Sequence, residues 1–129
     1  MTVAGARVTI VTATAESSTL ALADLLIGLR ERVPLTEAQI ARATGAEEQT
    51  VAAWLERRAT PSGVQANRVV ELTTFVEEMA RNITAESLPR WLEGKVDVLD
   101  GAVPLEMIAA GRYEPMMDYA LGLSQGVFT

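Results

Sequence analysis

The 129-residue sequence contains no cysteine and no histidine, and Lys95 is its single lysine. Without cysteine there can be no disulfide framework and no thiolate metal site, and without histidine the commonest metal ligand and general base is missing. Catalysis would have to rest on carboxylates, tyrosine, a hydroxyl or the one amine, and no nucleophile motif accompanies them. The sequence is therefore not read as an enzyme, and neither a cofactor nor a metal is expected. Long apolar runs are also missing. The stretch from Val8 to Val11 is interrupted by Thr9 and preceded by the single Arg7, so neither a signal peptide nor a membrane span is expected, and the cytoplasm is the expected compartment.

Positive charge is scarce as well: 11 Lys and Arg stand against 17 Asp and Glu, a formal net charge of −6. That balance is opposite to the basic signature of a free-standing nucleic-acid binder. Apolar residues, in contrast, are plentiful at 49% of the chain, with a mean hydropathy of +0.18. Such a composition points to a partner surface in addition to a core. The length allows one sizeable domain or two small helical ones sharing a core.

The most ordered signals lie between Glu37 and Glu56. Thr36 and Gln39 have capping-box spacing, and Leu35 before the cap can staple onto Ile40 one turn later. Ala41 is small where two helices would cross, and Gly45 falls where a turn needs positive φ. Ile40, Val51 and Trp54 form the expected buried seam. Together these residues spell a helix-turn-helix, although an ordinary helical hairpin without a ligand has the same local pattern. In a helix-turn-helix the second helix enters the major groove. Its outer face would present Glu47, Glu48, Gln49, Ala52, Ala53 and Glu56, and carboxylates there oppose phosphates unless they accept from cytosine amino groups. Arg57, Arg58 and Arg68, with Thr60, Ser62 and Gln65, are the candidates for phosphate contacts. The candidate DNA-binding set is Glu48, Gln49, Arg57, Arg58, Thr60 and Arg68, and operator binding by the chain alone is expected to be weak.

The remainder also reads as helical. Residues 1–17 form an arm with no legible function. Ser18 can cap a first helix in which Leu22, Leu25, Leu26 and Leu29 share an apolar face. After the break at Thr60-Pro61-Ser62-Gly63, a long helix from about Val64 to Arg81 buries Val69, Leu72, Val76, Met79 and Ile83. Thr84 and Ser87 are candidate caps for a helix opened by Pro89 and carrying Trp91 and Leu92, closed by Gly94. Lys95 to Ala102 reads as a loop. Pro104 opens a short helix that Gly111 ends, and a last helix from about Glu114 to Ser124 presents Met117, Ala120, Leu121 and Tyr113. Gly126 stops it, leaving Val127 and Phe128 at the terminus, where residues are normally polar. Phe128 either folds back on its own helix or fills a partner's cleft. The apolar content and the helix carrying Phe75 and Met79 predict a homodimer.

From about Leu20 onward the sequence resembles the Xre/MbcA/ParS-type antitoxins, which join a helix-turn-helix domain to a short toxin-binding domain. The specific part is Trp91-Leu92, the run Gly101-x-x-Pro104-Leu105-Glu106-Met107-Ile108, Ala110-Gly111-x-Tyr113, and Leu121-Gly122-Leu123-x-x-Gly126-Val127-Phe128. Asp97 and Asp100 depart from the pattern, standing where the family often has a proline and a paired glycine. The resemblance implies an all-α fold with a helix-turn-helix domain at 18–83 and a small helical toxin-binding domain at 84–129. It also implies an antitoxin whose partner is a RES-domain toxin that consumes NAD. In that family the C-terminal segment packs across the toxin's active-site cleft, which implies toxin contact for Trp91, Tyr113, Gly126, Val127, Phe128 and Thr129. The same resemblance allows repression of its own operon through operator DNA. The alternative is a dimeric helix-turn-helix regulator with no toxin.

Overall fold

Apolar residues recur at helical spacing from Leu22 to Val33, and in the computed structural model, which describes residues 22–126, the chain is helical over 22–32 (α1). Ala23, Leu26, Leu29 and Val33 are buried, and Leu22 packs partly against the core. Leu25 is 40% exposed, because the buried stripe is centred on Leu26 and Val33 and leaves Leu25 at its rim. Ser18, the expected cap, lies outside the described residues.

Helix α2, Glu37–Thr44, begins with the expected capping box: the Gln39 amide donates to Thr36 Oγ1 (3.1 Å) and the Thr36 amide donates to Gln39 Oε1 (3.0 Å). It ends at Gly45, whose φ of 78° is the left-handed conformation the turn requires. Helix α3, Glu48–Leu55, follows and turns Val51 and Trp54 inward. With Ile40 they form the seam anticipated from their spacing.

Helix α4, Gly63–Met79, starts one residue before the expected Val64 and stops short of Arg81. Val69, Leu72, Val76 and Met79 are fully buried as anticipated, and so is Phe75. That burial removes Phe75 and Met79 from any surface between two copies. Phe75 stacks on Trp91 (centroids 5.9 Å apart), and Trp91 stacks on Tyr119 (6.0 Å), so Phe75 and Met79 are spent on the chain's own core.

Helix α5, Leu88–Glu93, carries Pro89 in its first turn and closes at Gly94. Ser87 forms no side-chain cap; Thr84 Oγ1 instead accepts from the Ser87 amide at 3.3 Å. The segment expected to be a plain loop is tighter than that. Val96 and Ala102 pair as an antiparallel bridge around a 3-10 turn, Asp97–Leu99, with Val96 and Leu99 both buried. Asp100 and Gly101 close it at φ 60° and 76°. Aspartate tolerates this left-handed conformation better than most side chains, so Asp100 can stand at a position that otherwise favours glycine.

Helix α6, Pro104–Ala109, and helix α7, Tyr113–Ser124, complete the chain. The inward face of α7 is Met116 and Ala120, with Met117 and Leu123 packed beside them. Leu121, expected on this face, is 42% exposed. Helix α7 runs alongside α4 in the same direction. Gly111, before its start, lies over Arg68; Tyr113 pairs with Thr74; Ser124, its last residue, meets Glu78. One apolar cluster extends from Leu26 to Ala120, and α2 packs on α3, α4 and α6 within it. The helix-turn-helix segment and the C-terminal segment thus share a single core. Among the described residues no helix is long and apolar enough to cross a membrane.

Gln39 joins the two segments chemically, since its Nε2 donates to the Pro89 carbonyl (2.9 Å) and to the Glu93 carboxylate. Gln39→Ala should lower stability by about 1 to 3 kcal/mol, combining a lost cap with a stranded acceptor. Gln39→Glu should be worse, because it places a second carboxylate beside Glu93. Urea unfolding checks the order. A second comparison separates strain from crowding. Gly45 and Gly111 both have positive φ, but only at Gly111 would an added Cβ meet a side chain, Arg68 Nη2 at 2.8 Å. Gly45→Ala should cost about 1 kcal/mol from backbone strain alone, and Gly111→Ala more, because Arg68 must also move. Equal thermal midpoints for the two variants would contradict this.

Candidate functional site

Two surfaces hold the residues that the sequence marks as functional. The first is the end of α7, where Gln125 caps the helix and Gly126, at φ 76°, turns the chain out of it. Gly126 is exposed. Val127, Phe128 and Thr129 lie outside the described residues. The last turn of α7 is tied to the last turn of α4. Ser124 Oγ donates to Glu78 Oε2 and accepts from Asn82 Nδ2 at 3.1 Å. Arg81 approaches the same Glu78 carboxylate at 3.9 Å.

Trp91 and Tyr113 are placed differently from Gly126. Trp91 is the middle ring of the Phe75–Trp91–Tyr119 stack and is half-buried. Tyr113 is wedged against α4, where burial pushes its hydroxyl pKa above the usual tyrosine value, a hydrogen bond with Thr74 opposes the shift and the nearby Glu71 carboxylate reinforces it. Both rings therefore support the platform from which Gly126 emerges, as well as presenting an edge to solvent.

The second surface is the helix-turn-helix face. Glu47, Glu48 and Gln49 are exposed at the start of α3, with Gln49 Nε2 donating to Glu47 Oε1 at 3.2 Å. Together with Ala38, Ala41, Arg42 and Ala46 they line a shallow open depression. At the other end of α3, Arg58 pairs with Glu56 (2.7 Å) and Arg57 with Asp24 of α1. Arg57 holds φ at 61°, a conformation that costs a non-glycine residue about 1 kcal/mol or more. Thr60 is half-buried behind them. Arg68 is not on this surface in any usable sense: its side chain is only 19% exposed, it pairs with Glu71 at 3.1 Å, and its guanidinium packs under Gly111. Reaching a phosphate would require it to leave that pocket. Arg42 of α2, in turn, is directed toward the C-terminal segment, 3.1 Å from Glu106 and 3.9 Å from Glu93. Arg42, Arg57, Arg58 and Arg68 thus each already have a carboxylate partner.

Sequence reasoning missed Glu78, Asn82 and Ser124. Their contact spans more than 40 residues and produces no periodicity or motif that could have announced it.

No family model matches the chain. It is, however, 22% identical over 107 residues to the mycobacterial cidal antitoxin MbcA of Mycobacterium bovis and of Mycobacterium tuberculosis, an alignment covering 83% of this chain and 95% of those proteins. Its fold matches a chain in the crystal structure of the M. tuberculosis MbcT-MbcA toxin-antitoxin complex with a TM-score of 0.75, 22% identity, and coverage of 84% of this chain and 97% of that one. Over most of its length the chain is thus similar in sequence to MbcA, and it shares the fold of a chain in that complex.

Proposed function

We propose that the chain is a cytoplasmic antitoxin that neutralises a RES-domain, NAD-degrading toxin by placing its C-terminal segment, Gly126 to Thr129, in the toxin's active-site cleft. The observation that carries this reading is the nearly end-to-end match to an antitoxin that has been crystallised with its toxin. The local geometry supports it: α7 is followed by a positive-φ glycine on the surface, anchored by a polar contact two residues earlier, so the chain leaves the helix from a fixed point. A fixed start lowers the ordering cost of inserting Val127 and Phe128 into a concave pocket. The chain acts as an inhibitor and not as a catalyst.

Repression of its own operon through the helix-turn-helix is the second part of the proposal. Gln49 is the residue suited to reading a base edge, and Arg57 and Arg58 those suited to phosphates, since their present ion pairs are exposed and easily exchanged. Arg68 is better assigned to the support of Gly111. Assembly as a homodimer within a larger complex remains part of this reading, carried by Val64 and Val70, which α4 leaves 63% and 43% exposed.

Deleting Gly126 to Thr129 should release toxin activity while leaving the helical core folded. Phe128→Ala alone should weaken the complex by about one to two orders of magnitude, since burying one large apolar side chain contributes roughly 1.5 to 3 kcal/mol. An NAD-depletion assay with the RES-domain product of the neighbouring reading frame reads both; full neutralisation by the truncated chain refutes the tail mechanism. For DNA, Arg58→Ala should weaken binding to every duplex alike and flatten the salt dependence, whereas Gln49→Ala should narrow the gap between operator and random sequence. Nanomolar operator binding by the isolated chain in physiological salt would favour a stand-alone regulator instead.

A further inference from the structure

The C-terminal ends of α4 and α7 lie side by side, and the only polar tie between these last turns is built from Glu78, Asn82 and Ser124 among the described residues. The Ser124 hydroxyl is used in both directions: its hydrogen goes to Glu78 Oε2, and its oxygen accepts from Asn82 Nδ2 at 3.1 Å. A hydroxyl held at both its donor and its acceptor has no rotational freedom left. Asn82 Nδ2 also lies 3.5 Å from the Glu78 carbonyl, which keeps the amide at the end of α4. The Glu78 side chain is only 16% exposed, although it is charged and lies at the molecular surface.

This arrangement is not the one that helix stability alone would select. Carbonyl groups at a helix C-terminus carry partial negative charge, so cations are favoured there and carboxylates are not. Neither α4 nor α7 has a basic residue in its last turn, and Glu78 places a carboxylate beside both. Arg81, just past the end of α4, lies 3.9 Å from the Glu78 carboxylate and is itself 71% exposed, so it offsets only part of that charge. What the contact does accomplish is geometric. Ser124 is two residues before Gly126, so fixing Ser124 on α4 fixes the last turn of α7 and the point and direction in which the chain leaves it.

Resting on the antitoxin reading above, we propose that Glu78, Asn82 and Ser124 are positioning residues, a clamp that aims the C-terminal segment at the toxin. Without the clamp the last turn of α7 frays, the tail starts from many directions, and the ordering cost of insertion rises.

The test combines Ser124→Ala and Glu78→Gln with deletion of Gly126 to Thr129, measuring affinity for the RES-domain product of the neighbouring reading frame and amide hydrogen exchange of the free chain. Ser124→Ala should weaken the full-length complex by about tenfold, the loss of one charge-assisted hydrogen bond. It should have no effect on whatever affinity the truncated chain retains. In the free chain it should speed exchange at Leu123 to Gly126 and leave Leu105 and Ile108 unchanged. Glu78→Gln, whose amide oxygen still accepts from Ser124 without the charge, should cost less, about threefold. The clamp is overturned if Ser124→Ala leaves the full-length affinity unchanged while truncation abolishes it, or if it costs the same factor with and without the tail. A truncation that changes neither affinity nor inhibition overturns the tail reading itself, and the clamp with it.

Discussion

The burial of α2 on three sides is the constraint on which the rest of the fold depends. Five of its eight residues, Gln39, Ile40, Ala41, Ala43 and Thr44, are buried against α3, α4 and α6. An eight-residue helix can accept that many neighbours only if its side chains are mostly small, which Ala41 and Ala43 provide. Its buried polar groups must also be satisfied within reach. Thr44 Oγ1 returns its hydrogen to the Ile40 carbonyl at 2.8 Å, and Gln39 completes the capping box before crossing to Pro89 and Glu93. The helix that opens the helix-turn-helix motif is therefore also the floor of the C-terminal segment. A rearrangement of α6 has to disturb α2, so the motif and the C-terminal helices behave as one packed body and not as two independent modules.

This construction explains which features were legible in the sequence. Local chemistry was: Thr36 with Gln39, the glycines at 45, 111 and 126, and Pro104 each act within a turn of themselves, and the structure uses them as their spacing predicts. The overall all-α architecture followed from those punctuation marks and from helical periodicity. What was not legible required knowledge of a distant neighbour. Leu121 and Met116 are both apolar and five residues apart, and only the position of α4 decides that Met116 turns inward. Phe75 reads as surplus hydrophobic surface until Trp91 and Tyr119 are seen to stack above it. Arg68 reads as a free cation near the motif until Gly111 closes over it.

The candidate sites divide in the same way. Gly126 is a backbone signal and could be placed from sequence; the Glu78–Asn82–Ser124 contact beneath it is purely tertiary and could not. Trp91 and Tyr113 were marked because they belong to a family pattern, but a pattern does not distinguish a residue that touches a partner from one that holds up the surface that does. Here the packing shows both rings engaged within the fold, one in an aromatic stack and one against Thr74 and Glu71. Their value to a partner surface is thus at least partly that of support.

Charge governs the remaining question of how the motif can meet DNA. The Arg57–Asp24 and Arg58–Glu56 pairs are more than half exposed, and such surface pairs contribute about 0 to 1 kcal/mol. Breaking them is therefore not the obstacle. The obstacle is what each arginine leaves behind: when Arg58 turns to a phosphate, Glu56 is uncovered beside the same polyanion, and among the described residues Glu47 and Glu48 have no arginine within ion-pair distance to begin with. Recruiting cations on this face uncovers anions at an equal rate, so the gain per phosphate contact stays small. A partner that covers the carboxylates or adds its own basic surface changes that balance without altering a single base contact. With this charge distribution, tight binding of a polyanion would need basic surface from a partner, and the chain's own contacts would supply register and orientation more than affinity.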